Sequence, residues 1–358
     1  VGQQGIWSNY VESHLLPRLN GFELLMASYA MAHLQLDLLL TDTGYKPKQA
    51  QRLRVYLTNS LEESHPDTGT LFANWLSSEA NEANHIKRDT PVMCILGNPP
   101  YSVSSTNKGE WIQNLIADYK KDLNERKINL DDDYIKFIRY GQYFIEKNGE
   151  GVLAYISNNS FIDGITHRQM RKNLLETFDK IYIIDLHGNT KKKETTPDGH
   201  KDENVFDIMQ GVSINIFVKT AKTTKLGKVF HYDVYGKRED KYDFLKNNAL
   251  PNIKFKKLNY DMENYFFVPK NFSDDDKYKK GFKMDELFNY FNSGLQTKND
   301  IFTIQHNIND IKEIISDLKN ISESSLKEKY SLPPDRPSWN ISSAKEDVMT
   351  NFGQVFKI

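Results

Sequence analysis

Apolar residues along the chain fall into short continuous runs set between stretches of helical spacing. "VLAYIS" (152–157), "IYIIDL" (181–186) and "GVSINIFVKT" (211–220) read as strands. So do Val92–Leu96, "NGFE" (20–23) and the start of "RVYLTNSLE" (54–62). "LLMASYAMAHLQLDLLL" (24–40) has helical composition, and "RQMRKNLLETF" (168–178) reads as a helix. In "LDDDYIKFIRYGQYFIEKNGEG" (130–151), Ile135, Ile138, Tyr143 and Phe144 follow approximately helical spacing. Asp131–Asp133 offer N-capping carboxylates there, and Gly149 lies just past the end. Residues 63–91 are polar, carry a helical "ANWLSSEANEAN" patch and read as an insertion. Residues 187–204 read as a long polar loop, and 305–330 as amphipathic helix.

Strands alternating with helices predict an α/β fold with a doubly wound, Rossmann-like sheet. Ligands in such sheets sit beyond the carboxyl ends of the strands. Asn98, Ser157 and the loop after Leu186 all fall at such ends. Composition adds little until it is read locally. The 358 residues carry a net charge of -1, 12% aromatic residues and a single cysteine, so no disulfide forms within the chain, which fits a reducing compartment. No apolar run reaches membrane-spanning length. Residues 219–258, however, hold eleven Lys or Arg against four Asp or Glu, interleaved with Phe230, Tyr232, Tyr235, Tyr242, Phe244 and Phe255. That mixture fits a nucleic-acid surface and equally a solvated face beside an ordinary core. The change of character places a domain boundary near residue 220. Both ends, "VGQQG" without an initiator Met and the strand-like "FGQVFKI", read as cut from a larger protein.

"ILGNPPYS" (95–102) carries the chemistry. Two prolines stiffen the turn and hold Asn98 and Pro99 out of helical geometry. Neither proline has an N–H, so the loop's carbonyls are not consumed by local turns through them. The Asn98 side-chain oxygen and the Pro99 carbonyl then make a rigid acceptor pair, with the Tyr101 ring nearby. Two acceptors and a stacking face suit a planar ring bearing an exocyclic amino group, as in adenine. Metal chemistry is not expected: nine histidines show no HxH or HExxH spacing, and "DDD" reads as a cap. No phosphate-binding P-loop is present.

"NPPY" after a strand resembles motif IV of the S-adenosylmethionine-dependent amino-methyltransferases, above all the DNA adenine-N6 enzymes. "LNGFELLMASYAMAHL", "LGNPPYS", "GVLAYISNNSFI" and "FVPKNF" resemble the methyltransferase part of type ISP and type IIG restriction–modification enzymes. The resemblance implies that Asn98, Pro99, Pro100 and Tyr101 form the catalytic loop. It implies that Glu23 holds the cofactor ribose, and that Asn59, where the family often has Asp, lies near the cofactor adenine. Phe206 in "NVFDI" falls where these enzymes often carry a second aromatic against the flipped base; as a residue alone it reads equally as core. The family's first glycine-rich motif has no counterpart before Glu23. The implied domains are 1–220 for methyl transfer and 221–358 for a basic linker leading to target recognition. The implied partners are double-stranded DNA and covalently linked nuclease, translocase and recognition parts, in a bacterial cytoplasm. Lys191, Lys192 and Lys193 are candidate contacts to the DNA backbone. Two other readings stay open: a protein glutamine-N5 methyltransferase, which shares the loop, and a catalytically silent DNA-binding fragment.

Overall fold

The computed structural model describes residues 4–47, 52–63, 74–101, 105–123, 125, 130–220, 226–288, 297, 299–335 and 339–351. The chain divides into two compact units, Val1–Asn271 and Phe272–Ile358. The first is built in the order β1 (Gly21–Glu23), α1 (Met26–Asp42), β2 (Val55–Leu57), α2 (Asn74–Asp89), β3 (Cys94–Gly97) and α3 (Glu110–Lys120). α4 (Asp133–Asn148), β4 (Gly151–Asn158), α5 (Arg168–Thr177), β5 (Lys180–Asp185) and β6 (Val212–Lys219) follow. β7 (Lys228–Asp233), α6 (Arg238–Asn247) and β8 (Lys256–Lys257) complete it. β1 and β2 form a parallel pair. The larger sheet has the order β3-β4-β6-β5-β7-β8. β3 runs parallel to β4, and β5 parallel to β7. β6 lies antiparallel between β4 and β5. The α/β class and Rossmann-like alternation read from the sequence are therefore present, in a sheet of mixed direction.

Successive strand residues point to opposite faces, and helices cover both. On one face Leu153, Ile181, Ile183, Phe217 and Val229 pack with Ile116 of α3, Ile135 and Ile138 of α4, and Leu174 of α5. Burying each such aliphatic side chain contributes roughly 1.5–3 kcal/mol. On the other face Ile184, Leu186 and Val212 meet Phe244 and Leu245 of α6. α4 starts where Asp132 accepts from the Tyr134 N–H and ends at Gly149, which adopts φ +90°. Gly97 closes β3 where a Cβ would stand 2.9 Å from the Tyr155 ring, so a side chain there would displace that ring. Arg171, fully buried, donates to the carbonyls of Phe161, Gly164, Asn264 and Tyr265. It thereby ties α5 to the segment that leads into "FVPKNF".

Three expectations need correction. The run Val92–Leu96 reads as a buried strand, yet Cys94 is exposed and Leu96 is 74% exposed. The cause is topological: among the described residues β3 hydrogen-bonds to β4 alone, so it is an edge. The segment 63–91 is no simple insertion. Its helix α2 closes the crossover from β2 to β3, with Glu79 accepting from the Leu57 N–H and Ala83 and Ile86 packing on Tyr56. Finally, the composition change near residue 220 is not a break in the fold. β7, α6 and β8 continue the sheet, Phe230 stacks on Tyr182, and Tyr232 stacks on Phe244. Phe230, Tyr232 and Phe244 are half-buried in these contacts, Tyr235 and Tyr242 stay exposed, and the compact unit runs on to Asn271.

The second unit packs α7 (Ile308–Asn320), α8 (Glu323–Lys329) and α9 (Ile341–Asn351) around Phe302, Ile314, Leu318, Leu326 and Ile341. This matches the helical reading of 305–330. The strand-like end at 352–358 lies outside the described residues.

His167 tests the core electrostatically. It is 9% exposed, faces the Tyr134 hydroxyl at 3.3 Å, and its Nδ1 has no partner among the described residues. Burial, reinforced by the Arg171 charge, pushes its pKa down to about 4. The unfolded chain therefore takes up the proton first as pH falls. Stability is full above about pH 6.5 and is lost toward pH 4, by about 2 kcal/mol between pH 7 and 5 from this group. Denaturant titrations should show that increment in the wild type and not in His167→Gln; equal slopes would remove His167 from the account.

Candidate active site

β6 is antiparallel to both β4 and β5, so those two strands point the same way, and their parallel partners β3 and β7 follow them. The carboxyl ends of β3, β4, β5 and β7 thus share one rim, where β6 begins. Asn98, Asn159, the segment from Asp185 to His187, and Asp233 all stand at that rim.

The Asn98–Tyr101 loop leaves β3 there. Asn98 is exposed, Pro99 is buried, and the Tyr101 hydroxyl donates to Asn98 Oδ1 at 3.5 Å. The Tyr101 ring packs on the cluster of Ile184, Leu186, Val205, Val212 and Val234. Phe206 packs on the same cluster. Two half-buried aromatics from segments a hundred residues apart therefore meet one apolar floor. Burial pushes the Tyr101 phenol up to about 12, so it remains a neutral donor at physiological pH.

Phe206 is held by a loop far more ordered than its polar composition predicts. Gly188 adopts φ +79°, and a Cβ there would stand 2.5 Å from Asn204 Cα. Asn204 donates to the carbonyls of Gly188 and Gln210 and accepts from the Phe206 N–H. Arg238 of α6 donates to the carbonyls of Asn204 and Phe206. Lys241, fully buried, donates to Asp202 at 2.7 Å and to the carbonyls of Leu186 and Glu203. Lys191, Lys192 and Lys193 project from this loop and are exposed; Lys192 Nζ is 4.0 Å from Asp163.

Glu23 and Asn59 stand at the ends of β1 and β2. Glu23 Oε1 accepts from the N–H groups of Leu24 and Leu25, just before α1. Its other oxygen accepts nothing from the described residues. Asn59 is committed within the chain: Nδ2 donates to Asn107 and Glu62, and Oδ1 accepts from the Leu61 N–H. Lys87 of α2 donates to the Asn59 carbonyl at 2.7 Å. Burial pushes Lys87 down to about 8, against the opposing pull of Glu62.

Sequence reading did not find Asn159, Asp185, His187 or Asp233. Asn159 donates to Asp185, and His187 Nε2 lies 2.9 Å from Asp233. The only signal was a mirrored pair, Asp-x-His at 185–187 and His-x-Asp at 231–233, each at a strand's end. Nothing in either tripeptide says that the two strands are neighbours.

Residues 21–191, just under half of the chain, match the family described as Eco57I restriction-modification methylase. No curated protein matches. Among solved structures, LlaBIII, an ATP-dependent Type ISP restriction-modification enzyme bound to DNA, gives a TM-score of 0.69 at 23% identity. It covers 99% of this chain and 26% of that one. The DrdV–DNA complex gives 0.67 at 22% identity, over 95% of this chain and 36% of that one. A nuclease-deletion mutant of the Type ISP enzyme LlaGI, with a DNA substrate mimic, gives 0.63 at 18%, over 99% and 31%. At these identities the likeness is one of fold, and the chain spans about a quarter to a third of those proteins. No helix among the described residues is long and apolar enough to cross a membrane.

The buried Lys241–Asp202 pair gives the loop its own test. Lys241→Met leaves a buried carboxylate without its cation and should cost about 3–5 kcal/mol in chemical denaturation. Adding Asp202→Leu should recover most of that loss. A single variant as stable as the wild type would show that the pair does not brace the loop.

Proposed function

We propose that the chain carries the methyltransferase of a restriction–modification enzyme and methylates adenine N6 in DNA with S-adenosylmethionine as methyl donor. One observation carries the reading: Asn98–Tyr101 leaves a strand at the sheet's rim, and Tyr101 shares an apolar floor with Phe206. The match of residues 21–191 to a restriction-modification methylase family supports it. So does a fold shared with enzymes solved as DNA complexes.

The residues present fit the cofactor at one end. Glu23 retains an oxygen that accepts nothing from the described residues, which suits a ribose diol. Asn59 stands at the neighbouring strand end; both of its Nδ2 protons are used within the chain, so only Oδ1, which already accepts from the Leu61 N–H, would remain to accept from the cofactor. When bound, S-adenosylmethionine supplies an electrophilic methyl group. The chain does the rest by positioning. Asn98 Oδ1 and the Pro99 carbonyl accept the two amino protons of the target base. They draw its nitrogen toward tetrahedral geometry and localise a lone pair otherwise delocalised into the ring. With that lone pair freed, the nitrogen would take the methyl as its bond to the sulfonium sulfur breaks, S-adenosylhomocysteine would leave, and the amino proton would pass to water. Tyr101 and Phe206 stack on the extruded base and offset part of the cost of unstacking it. Pro99 and Pro100 keep the acceptors rigid. Lys191, Lys192 and Lys193 contact DNA phosphates. Target recognition, nuclease and translocase parts are linked to this chain in the whole enzyme, which works in the bacterial cytoplasm.

Transfer of labelled methyl to DNA, with the product identified as N6-methyladenine by mass spectrometry, tests the reaction. Asn98→Ala should lower that rate by about 100-fold or more while DNA binding persists. Label appearing on a protein glutamine instead would replace the reading with the glutamine-N5 one. DNA binding with no transfer, in this chain and in the whole enzyme, would leave a silent DNA-binding protein. Replacing Lys191, Lys192 and Lys193 with Glu should weaken DNA binding and flatten its dependence on log salt by about 2–3 units of slope. An unaltered slope would take the three lysines off the DNA.

A further inference from the structure

A second constellation occupies the same rim, beyond β5 and β7, and methyl transfer does not use it. Asp185 and Asp233 are the last residues of two parallel neighbours and stand opposite each other in register. His187, two residues past β5 and held at φ +51°, lies between their carboxylates. Its Nε2 is 2.9 Å from Asp233 Oδ1 and its Nδ1 is 3.7 Å from Asp185 Oδ2. One donor atom from each of the three lies within 4.8 Å of the others. A single ion takes only one ring nitrogen of His187, since the two lone pairs diverge; in the set with one atom from each residue the separations stay within 4.8 Å, against roughly 3.3 Å between ligands of a tetrahedral site with bonds near 2.0–2.1 Å.

Each group is held in place. The Asn159 amide and the His187 N–H both donate to Asp185 Oδ1 at 3.0 Å, leaving Oδ2 to face inward. The Tyr235 ring stacks on His187 with centroids 4.0 Å apart and planes within 11°. These are the supports that orient metal ligands. A further imidazole, His231, is only 2% exposed. It turns Nδ1 toward Asp233 Oδ2 at 3.5 Å, and its Nε2 has no partner among the described residues. The constellation opens on a cavity of about 320 Å³, also lined by Asp163 and Glu194, with Lys192 the one lysine or arginine at its wall among the described residues. A wall with four carboxylates and one ammonium favours a positively charged guest.

We infer that Asp185, His187 and Asp233 form a binding site for a divalent first-row cation of the zinc or manganese class. One imidazole with two carboxylates suits these ions better than calcium or magnesium, which prefer oxygen alone. The site joins the ends of β5 and β7 at the root of the loop that carries Lys191–Lys193 and Phe206. An ion there locks the two strand ends together and fixes where that loop begins. The inference stands apart from the methyl-transfer reading, because none of the three ligands belongs to the Asn98–Tyr101 loop.

The test is calorimetric titration of zinc chloride into chelator-treated protein, without DNA or methyl donor. One equivalent should bind, and Asp233→Asn should lower the affinity by tenfold or more. His85→Ala, at the exposed pair with Asp89, should leave it unchanged. No binding, or equal binding by wild type and Asp233→Asn, would overturn the site. If Asp233→Asn does not fold, hydrogen exchange on the wild-type chain decides. Zinc should slow amides in 185–205 and 231–236 selectively; slowing elsewhere or nowhere overturns the proposal.

Discussion

An antiparallel strand threaded between two strands that point the other way governs this molecule. β6 pairs with β4 over eight residues and with β5 over six, using both of its edges. A strand in that position must enter where its neighbours finish. The chain leaving β5 at Asp185 therefore cannot cross to the far end of the sheet; it has to turn and re-enter on the same rim. Residues 186–211 are consequently confined to the mouth of the sheet, beside the loop that leaves β3. Phe206 reaches the floor under Tyr101 because β6 runs backwards.

That confinement has an energetic counterpart. A segment so rich in lysine, threonine and aspartate has little apolar surface with which to fold, and its backbone polar groups need partners at the rim. α6 supplies them. Arg238 and Lys241 donate to carbonyls from both ends of the segment, and Asn204 bridges Gly188 to Gln210. The basic composition beyond residue 220 is thus partly internal scaffolding: Lys241 is buried with Asp202 and does not face solvent. Charge counted along a sequence overstates the charge a partner would meet.

What the sequence reveals and what it hides divide along range. β4, β5, β6 and α4 were legible because each carries its own period and punctuation: unbroken apolar runs, then Asp132 at one helix end and Gly149 at the other. The Asn98–Tyr101 loop was legible because proline restricts its neighbours whatever surrounds it. The direction of β6 was not, since period two is the same read either way. Nor was the exposure of Leu96, because an apolar run fills an edge strand as readily as a central one. Asp185 and Asp233 are 48 positions apart and become neighbours only through strand order. The sheet partnership of β5 and β7 is a fact of topology, invisible to any local window.

The β1–β2 pair has one more consequence. Its strands register over three residues each, and α1, which links them, buries none of its side chains despite Met31, Leu34, Leu38 and Leu39. An element stabilised by so few long-range contacts opens at a free energy far below that of the sheet built on β4, β5 and β6. A denaturation curve read from aromatic fluorescence at the main core would overstate how long the Glu23 end persists.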